Sequence, residues 1–333
     1  MTIRLSDIAT RAGVSEATVS RVLNGKPGVS PATREAVVAA VDNLGYERPP
    51  RLRERGHGLV GLITPDLTNP IFPALAQVIE QVLASHGYTP VLCTQSPIGA
   101  GEDQLVELLV DRGVTGIVFV SGMHADTTAD MGRYVKLAGR GVPFVMINGY
   151  TEHVSAPFVS TDDRAAVRLA VSHLAALGHE RIGLAVGPER FVPVRRKVES
   201  FRAVLPDGIV QHTLFTVEGG AAAASALLDK ECTAIVCGND LMAFGAVRAA
   251  RARGRSVPED VSVVGFDDSP LIVFADPPLT TLRQPVETIG QAAVDALLEE
   301  MAGTPAPHVE YMCQPELVVR GSTAVVGATR TLR

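Results

Sequence analysis

Side chains able to do chemistry are concentrated in two places along this chain: a short helical stretch near its start and a set of polar loops farther on. In the first, apolar Leu5, Ile8, Ala9 and Ala12 recur at helical spacing, Gly13 can end the turn, and Ser15 can cap a second helix. On that second helix Val19, Val22 and Leu23 turn inward, and Glu16, Ala17, Ser20 and Arg21 are left outside. A helix pair with a glycine-containing turn is a helix-turn-helix, whose second helix enters the DNA major groove, although any small helical hairpin could show the same spacing. The second group lies in the loops Asp66 to Phe72, Ser121 to Asp126, Asn148 to Tyr150, Ser160 to Asp163, Gly187 to Lys197, Asn239-Asp240 and Asp267-Asp268. Amides and carboxylates facing a cleft suit a polyhydroxylated ligand, because each can pair with vicinal hydroxyls. Asp162 and Asp240 are also placed to cap helices, whereas Asp267 stands at a strand end and favours binding.

The elements that must position these residues follow from pattern. Ser30-Pro31 opens a third helix with an apolar face of Val37, Val38, Val41 and Leu44, ended by Gly45. From Tyr46 to Gly58, Pro49-Pro50 and four arginines mark a linker, either a solvated tether or a basic arm lying along DNA with Leu52 as its large apolar residue. From Leu59 onward strands at 59–64, 89–93, 116–120, 143–147, 181–186, 233–237 and 261–266 alternate with helices at 71–86, 102–112, 130–140, 163–177, 195–205, 219–229 and 240–254. That alternation implies doubly wound parallel sheets, long enough here for two with a hinge between them, and places ligands at the carboxyl ends of strands. Residues 288–301 read as a crossover helix and 309–319 as one closing strand. The expected organisation is a DNA-binding head at 1–46, a basic hinge at 47–58 and an α/β body at 59–333. The body divides into subdomains of about 59–160 plus 290–320, and 161–289 plus the C-terminal tail.

Composition limits the alternatives. The net charge of −6 is unevenly spread: residues 1–58 carry nine Lys/Arg against six Asp/Glu, and the remainder 21 against 30. A basic head on an acidic body is the asymmetry expected when one end meets phosphate. No run of about 18 apolar residues suggests a membrane span, and the polar start argues against export. Cys93, Cys232, Cys237 and Cys313 lack histidines at ligand spacing and read as reduced thiols, so no metal and no cofactor is expected. His173 and His179 have no paired acid, and His179 reads as a surface or capping residue. A Gly-x-Gly-x-x-Gly turn, a phosphate-loop lysine and a Gly-x-Ser-x-Gly elbow are all missing, which leaves no sign of catalysis.

The run Ile8-Ala-Thr-Arg-Ala-Gly-Val-Ser-Glu-Ala-Thr-Val-Ser-Arg-Val-Leu-Asn24 resembles the opening of the LacI/GalR family of bacterial repressors. The body resembles the same family at Thr68-Asn-Pro-Ile-Phe72, Gly238-Asn-Asp-Leu-Met-Ala-Phe-Gly-Ala246, Val257 to Asp268 and Pro278 to Pro285, in the family's order. The resemblance implies a helix-turn-helix head on a periplasmic-binding-protein-like body of two doubly wound subdomains. It further implies a cytoplasmic homodimer gripping a near-palindromic operator, with DNA affinity set by a small hydroxylated ligand, a sugar or sugar derivative. By position, Ser15 and Thr18 would contact phosphate, Glu16, Ala17 and Arg21 would read bases, and Ser20 and Asn24 would complete the surface. Arg51, Leu52 and Arg53 would form the arm, with Leu52 as a minor-groove wedge. The matching effector positions are Asn69, Phe72, Asn148, Arg195, Lys197, Asn239, Asp267 and Gln284. Two departures stand out. The segment from Tyr46 to Leu52 is short and carries Pro49-Pro50, which restricts any hinge helix, and Lys197 replaces the usual arginine, so it cannot fork onto two oxygens. The tail lacks leucine heptads, which favours a dimer over a tetramer.

Overall fold

The computed structural model describes residues 4–23, 28–44, 57–95, 99–304 and 306–327. Asn24, Gly45 and the arm with Arg51, Leu52 and Arg53 lie outside these residues.

The head is built from Leu5–Ala12 (α1), Glu16–Leu23 (α2) and Pro31–Leu44 (α3). Gly13 adopts a left-handed φ of 66°, which lets its amide return to the carbonyls at the end of α1 and Val14 N–H reach Ala9 O at 3.0 Å. Ser15 caps α2 by accepting from Thr18 N–H at 3.2 Å, and Ser30 caps α3 in the same way through Thr33. Ile8, Ala9, Val19, Val22, Val37 and Ala40 form the core. Val38, expected on the buried face of α3, is 49 % exposed. Val37, Ala40, Val41 and Leu44 already hold the inner face at steps of three and four, and Val38 lies about 100° away from Val37 around the helix.

The body holds two six-stranded sheets. In chain order the elements are Gly58–Thr64 (β1), Ile71–Ser85 (α4), Tyr88–Thr94 (β2), Glu102–Asp111 (α5), Gly116–Val120 (β3), Gly132–Gly139 (α6), Phe144–Ile147 (β4) and Phe158–Thr161 (β5). Then come Asp163–Ala176 (α7), Ile182–Val186 (β6), Val192–Val204 (α8), Ile209–His212 (β7), Val217–Asp229 (α9), Ala234–Cys237 (β8), Asp240–Ala252 (α10), Ser262–Asp267 (β9) and Thr280–Arg283 (β10). Val286–Met301 (α11), Glu310–Cys313 (β11) and Glu316–Val318 (β12) close the body. The first sheet runs β11-β5-β4-β3-β1-β2 and the second β12-β10-β9-β8-β6-β7, with β12 antiparallel to β10. In each sheet the first strand lies between the second and third, so the order reverses there and leaves a crevice at the strand ends. The central strands β3, β6 and β9 are buried along their whole length, as parallel strands covered on both faces must be.

The chain crosses between the sheets three times: after β5, after β10 and after β11. The single strand expected over 309–319 is therefore two, β11 beside β5 in the first sheet and β12 beside β10 in the second. Residues 316–318, expected with the first subdomain, accordingly pair in the second sheet. Strands β5, β7 and β10 were also absent from the pattern. The edge strand β7 is only partly covered, and β10 (Thr-Thr-Leu-Arg) buries two threonines whose polar groups are satisfied from elsewhere. His179 is no surface residue: it is 5 % exposed and bonds Thr233 Oγ1 and Ser262 Oγ, each at 2.9 Å, and Ala324 O at 3.0 Å. Burial lowers its pKa, which keeps the imidazole neutral and able to tie the C-terminal segment to the sheet.

Candidate functional site

On the head, the requirement to bury Val19 and Val22 fixes the rotation of α2. Glu16, Ala17 and Arg21 consequently stand exposed on its outer face, together with Ser15 at its start. Thr18 and Ser20 are half-buried at the edges of that face. Ser15 Oγ and Thr18 Oγ1 lie 2.9 Å apart, so the cap and the first turn present two hydroxyls beside the unpaired amides of the helix start.

In the body, four side chains from four strand ends form one hydrogen-bonded chain. Thr161 Oγ1 donates to Gln284 Oε1 at 2.7 Å, and Gln284 Nε2 donates to Asp267 Oδ1 at 2.7 Å. Asn69 Nδ2 then donates to the other Asp267 oxygen at 3.3 Å. Asn69 follows β1 and Thr161 ends β5, whereas Asp267 ends β9 and Gln284 follows β10, so the chain spans the two lobes. Asp267 and Asp268 both hold left-handed backbone, with φ of 115° and 62°. Such geometry costs on the order of 1–3 kcal/mol per residue and collects where function fixes the backbone.

Burial raises the Asp267 carboxyl above the ordinary range, and the charge of Asp240 raises it further. Asp240, read from sequence as a cap, does something else. Its oxygens accept from Ser269 N–H and Thr281 Oγ1, both at 2.7 Å, which ties β10 and the loop after β9 to the start of α10. The cap of α10 is Asn239, whose Oδ1 accepts from Met242 N–H at 2.8 Å. Asn239 Nδ2 is enclosed and has no acceptor within the described residues. Asp162 does cap α7, accepting from Ala165 N–H at 2.8 Å.

The structure thus brings Asn69, Asp267 and Gln284 together. Asn148, with φ 63°, donates to Ser121 Oγ at 3.2 Å, joining the loops after β4 and β3. Phe72 is half-buried at the start of α4, its amide on Asn69 O at 3.1 Å. Lys197 and Arg195 do not join the group as expected. Lys197 is buried against Asp163 with its ammonium 3.9 Å over the Phe266 ring, and Arg195 lies on the exposed side of α8. Burial is the largest influence on Asp163 and raises its pKa against the pull of Lys197.

Sequence reading missed three features. Phe215, 38 % exposed, packs on Phe191 with ring centroids 6.1 Å apart and occupies the space a side chain on Gly187 would need. Arg196 is buried in a two-bond pair with Glu310, at 2.8 and 2.7 Å. Arg190 pairs with Asp126 at 2.7 Å. Each partner is distant in sequence, so no local pattern announces it.

Residues 4–49 match the pattern of bacterial regulatory proteins of the lacI family, and residues 171–323 that of the periplasmic binding protein-like domain. HTH-type transcriptional regulator reg1 of Streptomyces lividans is 66 % identical over 336 residues, covering 97 % of each chain. The transcriptional regulator CelR in complex with cellobiose superposes with a TM-score of 0.71 at 32 % identity, covering 96 % of this chain and 99 % of that one. The lac repressor dimer bound to operator and an anti-inducer superposes with a TM-score of 0.70 at 29 % identity, covering 97 % and 100 %.

Proposed function

Because the chain belongs to the LacI family of bacterial regulatory proteins, and is therefore a transcriptional regulator and not an enzyme, we propose that it is a homodimeric repressor controlled by a neutral sugar. The α2 face reads operator DNA, with Arg21 and Glu16 pairing to base edges and Ser15 and Thr18 meeting phosphate. The arm of Arg51, Leu52 and Arg53 completes the grip, and paired heads bind a near-palindromic site. The lac repressor neighbour is a dimer on its operator; on this chain a second copy would cover Leu271 and Phe274, which are 73 % and 82 % exposed.

The observation that carries the ligand reading is the hydrogen-bonded chain Thr161–Gln284–Asp267–Asn69. It offers amides and a carboxylate, the groups that pair with vicinal hydroxyls. Four cations of the body are already matched: Lys197 with Asp163, Arg196 with Glu310, Arg190 with Asp126 and Arg283 with Asp268. With these cations already paired, the amides and the buried Asp267 suit a neutral hydroxylated ligand better than a phosphate or carboxylate, which would enter without a free cation to meet it. Phe191 and Phe215 offer apolar faces for a sugar ring. The CelR neighbour, whose bound ligand is cellobiose, supports the same class.

The test is a thermal-shift screen of neutral mono- and disaccharides, polyols, sugar acids and sugar phosphates, with hits taken into operator titration at several salt concentrations. Neutral sugars are expected to raise the melting temperature and change operator affinity. Hits confined to acids or phosphates would overturn the ligand class, and no operator shift at low salt would overturn DNA binding.

A further inference from the structure

Helix α8 belongs to the lobe of the second sheet, yet it is tied to the lobe of the first at two separate points. At its N-terminal end, the loop after β6 meets the loop after β3. Arg190 Nε donates to Asp126 Oδ2 at 2.7 Å, and Thr127 donates to Arg190 O from both its amide, at 2.8 Å, and its hydroxyl, at 2.9 Å. Asp126 and Phe191 add an isolated antiparallel bridge. One turn into the helix, Arg196 forms its two-bond pair with Glu310 of β11, the side chains only 10 % and 12 % exposed.

Both attachments are stiffened from behind. Asp126 also accepts from Thr128 N–H at 2.9 Å and Thr128 Oγ1 at 2.7 Å. The loop that carries it is held by buried Glu102, which accepts from Met123 N–H at 2.9 Å, from Gln95 at 2.7 Å and from the Tyr134 hydroxyl. Glu310 sits in a strand paired in register with β5. One attachment in the loop that enters α8 and a second within the helix, six residues on, together remove the rotation that a single contact would leave free. A planar arginine fork holding a carboxylate by two bonds also fixes orientation, which a lysine could not do.

We propose that α8 is a strut clamped to the first lobe at these two points, and that Asp126, Arg190, Arg196 and Glu310 are positioning residues that fix the angle between the lobes and so set how ligand binding is transmitted to DNA. The transmission half of this statement rests on the regulator reading above; the interlobe angle does not.

The experiment uses the full chain with spin labels at Lys136→Cys on α6 and Lys230→Cys after α9, in a Cys93→Ser background, the labelled chain diluted into excess unlabelled chain. Electron–electron resonance without ligand or DNA reads the interlobe distance. Asp126→Asn and Glu310→Gln are each expected to move or broaden a single narrow distance distribution, and the charge swap Asp126→Arg with Arg190→Asp to narrow it again. Replacing Arg196 by Met and Glu310 by Leu together refills the buried volume; a recovered melting temperature with a still-broad distribution separates positioning from stability, and recovery of both overturns the Arg196–Glu310 clamp. Unchanged distributions in both single variants, or a change in only one, overturn the two-point strut. In operator titrations with and without cellobiose as probe, the ratio of affinities is expected to change at least about fivefold in Glu310→Gln. A distance change with an unaltered ratio overturns the transmission half alone, and a wild-type chain indifferent to every neutral sugar is instead the failure of the ligand reading.

Discussion

The ammonium of Lys197 lies 3.9 Å from the centroid of the Phe266 ring and pairs with the Asp163 carboxylate. An arginine at this place could present a flat fork to a ligand. The compact lysine charge is instead enclosed by an aromatic face and a buried carboxylate, both from its own lobe. The lysine is paired within its own lobe, and its charge still acts on Asp267, opposing the rise that burial gives that carboxyl.

Removing that lysine exposes the cost of the acid it pairs with. Lys197→Met leaves Asp163 buried and uncompensated, a loss of about 3–5 kcal/mol at neutral pH. Burial already raises the Asp163 pKa, and without Lys197 it rises further, so the acid can take a proton as pH falls and the penalty shrinks. Denaturant midpoints at pH 5 and pH 8 should therefore show a smaller deficit at pH 5, and the double change with Asp163→Leu should recover most of it. An equal deficit at both pH values would mean that the pair is not the source of the loss.

Asp267→Asn should trade function for stability. Its folded pKa is raised, by burial first and by Asp240 second, so the folded state binds a proton that the unfolded chain has already lost. The stability this group contributes is intact below the ordinary carboxylate range and is lost as pH climbs toward the raised value. The asparagine variant should gain melting temperature over the parent as pH goes from 5 to 8. It should also lose about 1–3 kcal/mol of sugar affinity, read by calorimetry with whichever sugar the screen returns. A variant that binds sugar like the parent would remove Asp267 from the site.

These contrasts show which parts of the molecule could be read before folding it. The head was legible because its signals are local: Gly13, Ser15 and the spacing of Val19 and Val22 act within a turn or two. The alternation of strands and helices was legible for the same reason; Asn69 and Asp267 lie in loops at strand ends, where such sheets converge, whereas Gln284 was named only through the family resemblance. What escaped depends on partners more than twenty residues away. Nothing near Arg196 points to Glu310, and Asp240 resembles a helix cap until Thr281 and Ser269 are brought against it. Strand β10 escaped because its threonines are polar by composition and buried only by virtue of those distant partners.

On the DNA side, Arg21→Ala should cost about 1–3 kcal/mol of operator affinity and relax the preference at one base position per half-site. Its side chain is exposed and the core of α2 is elsewhere, so the melting temperature should stay put. Gel shifts against a set of single-position operator variants make the distinction: unchanged discrimination would show that Arg21 does not read a base.

Phe274 should decide the oligomeric state. It stands 82 % exposed beside Leu271, at a short turn that hangs from the end of β9 and is anchored by Ser269 N–H on Asp240. Two large apolar side chains at one exposed turn are costly to leave in water, at roughly 25 cal/mol for each Å² that a partner would cover. A second copy covering the same turn by two-fold symmetry buries both sets at once. Phe274→Glu places like charges across that axis and leaves the monomer's own core untouched, so light scattering should give a monomer with little change in far-ultraviolet circular dichroism. Because two tethered heads bind with an effective concentration that one head lacks, operator affinity should fall by about a hundredfold or more. A dimer that survives Phe274→Glu would move the interface to another face of the body.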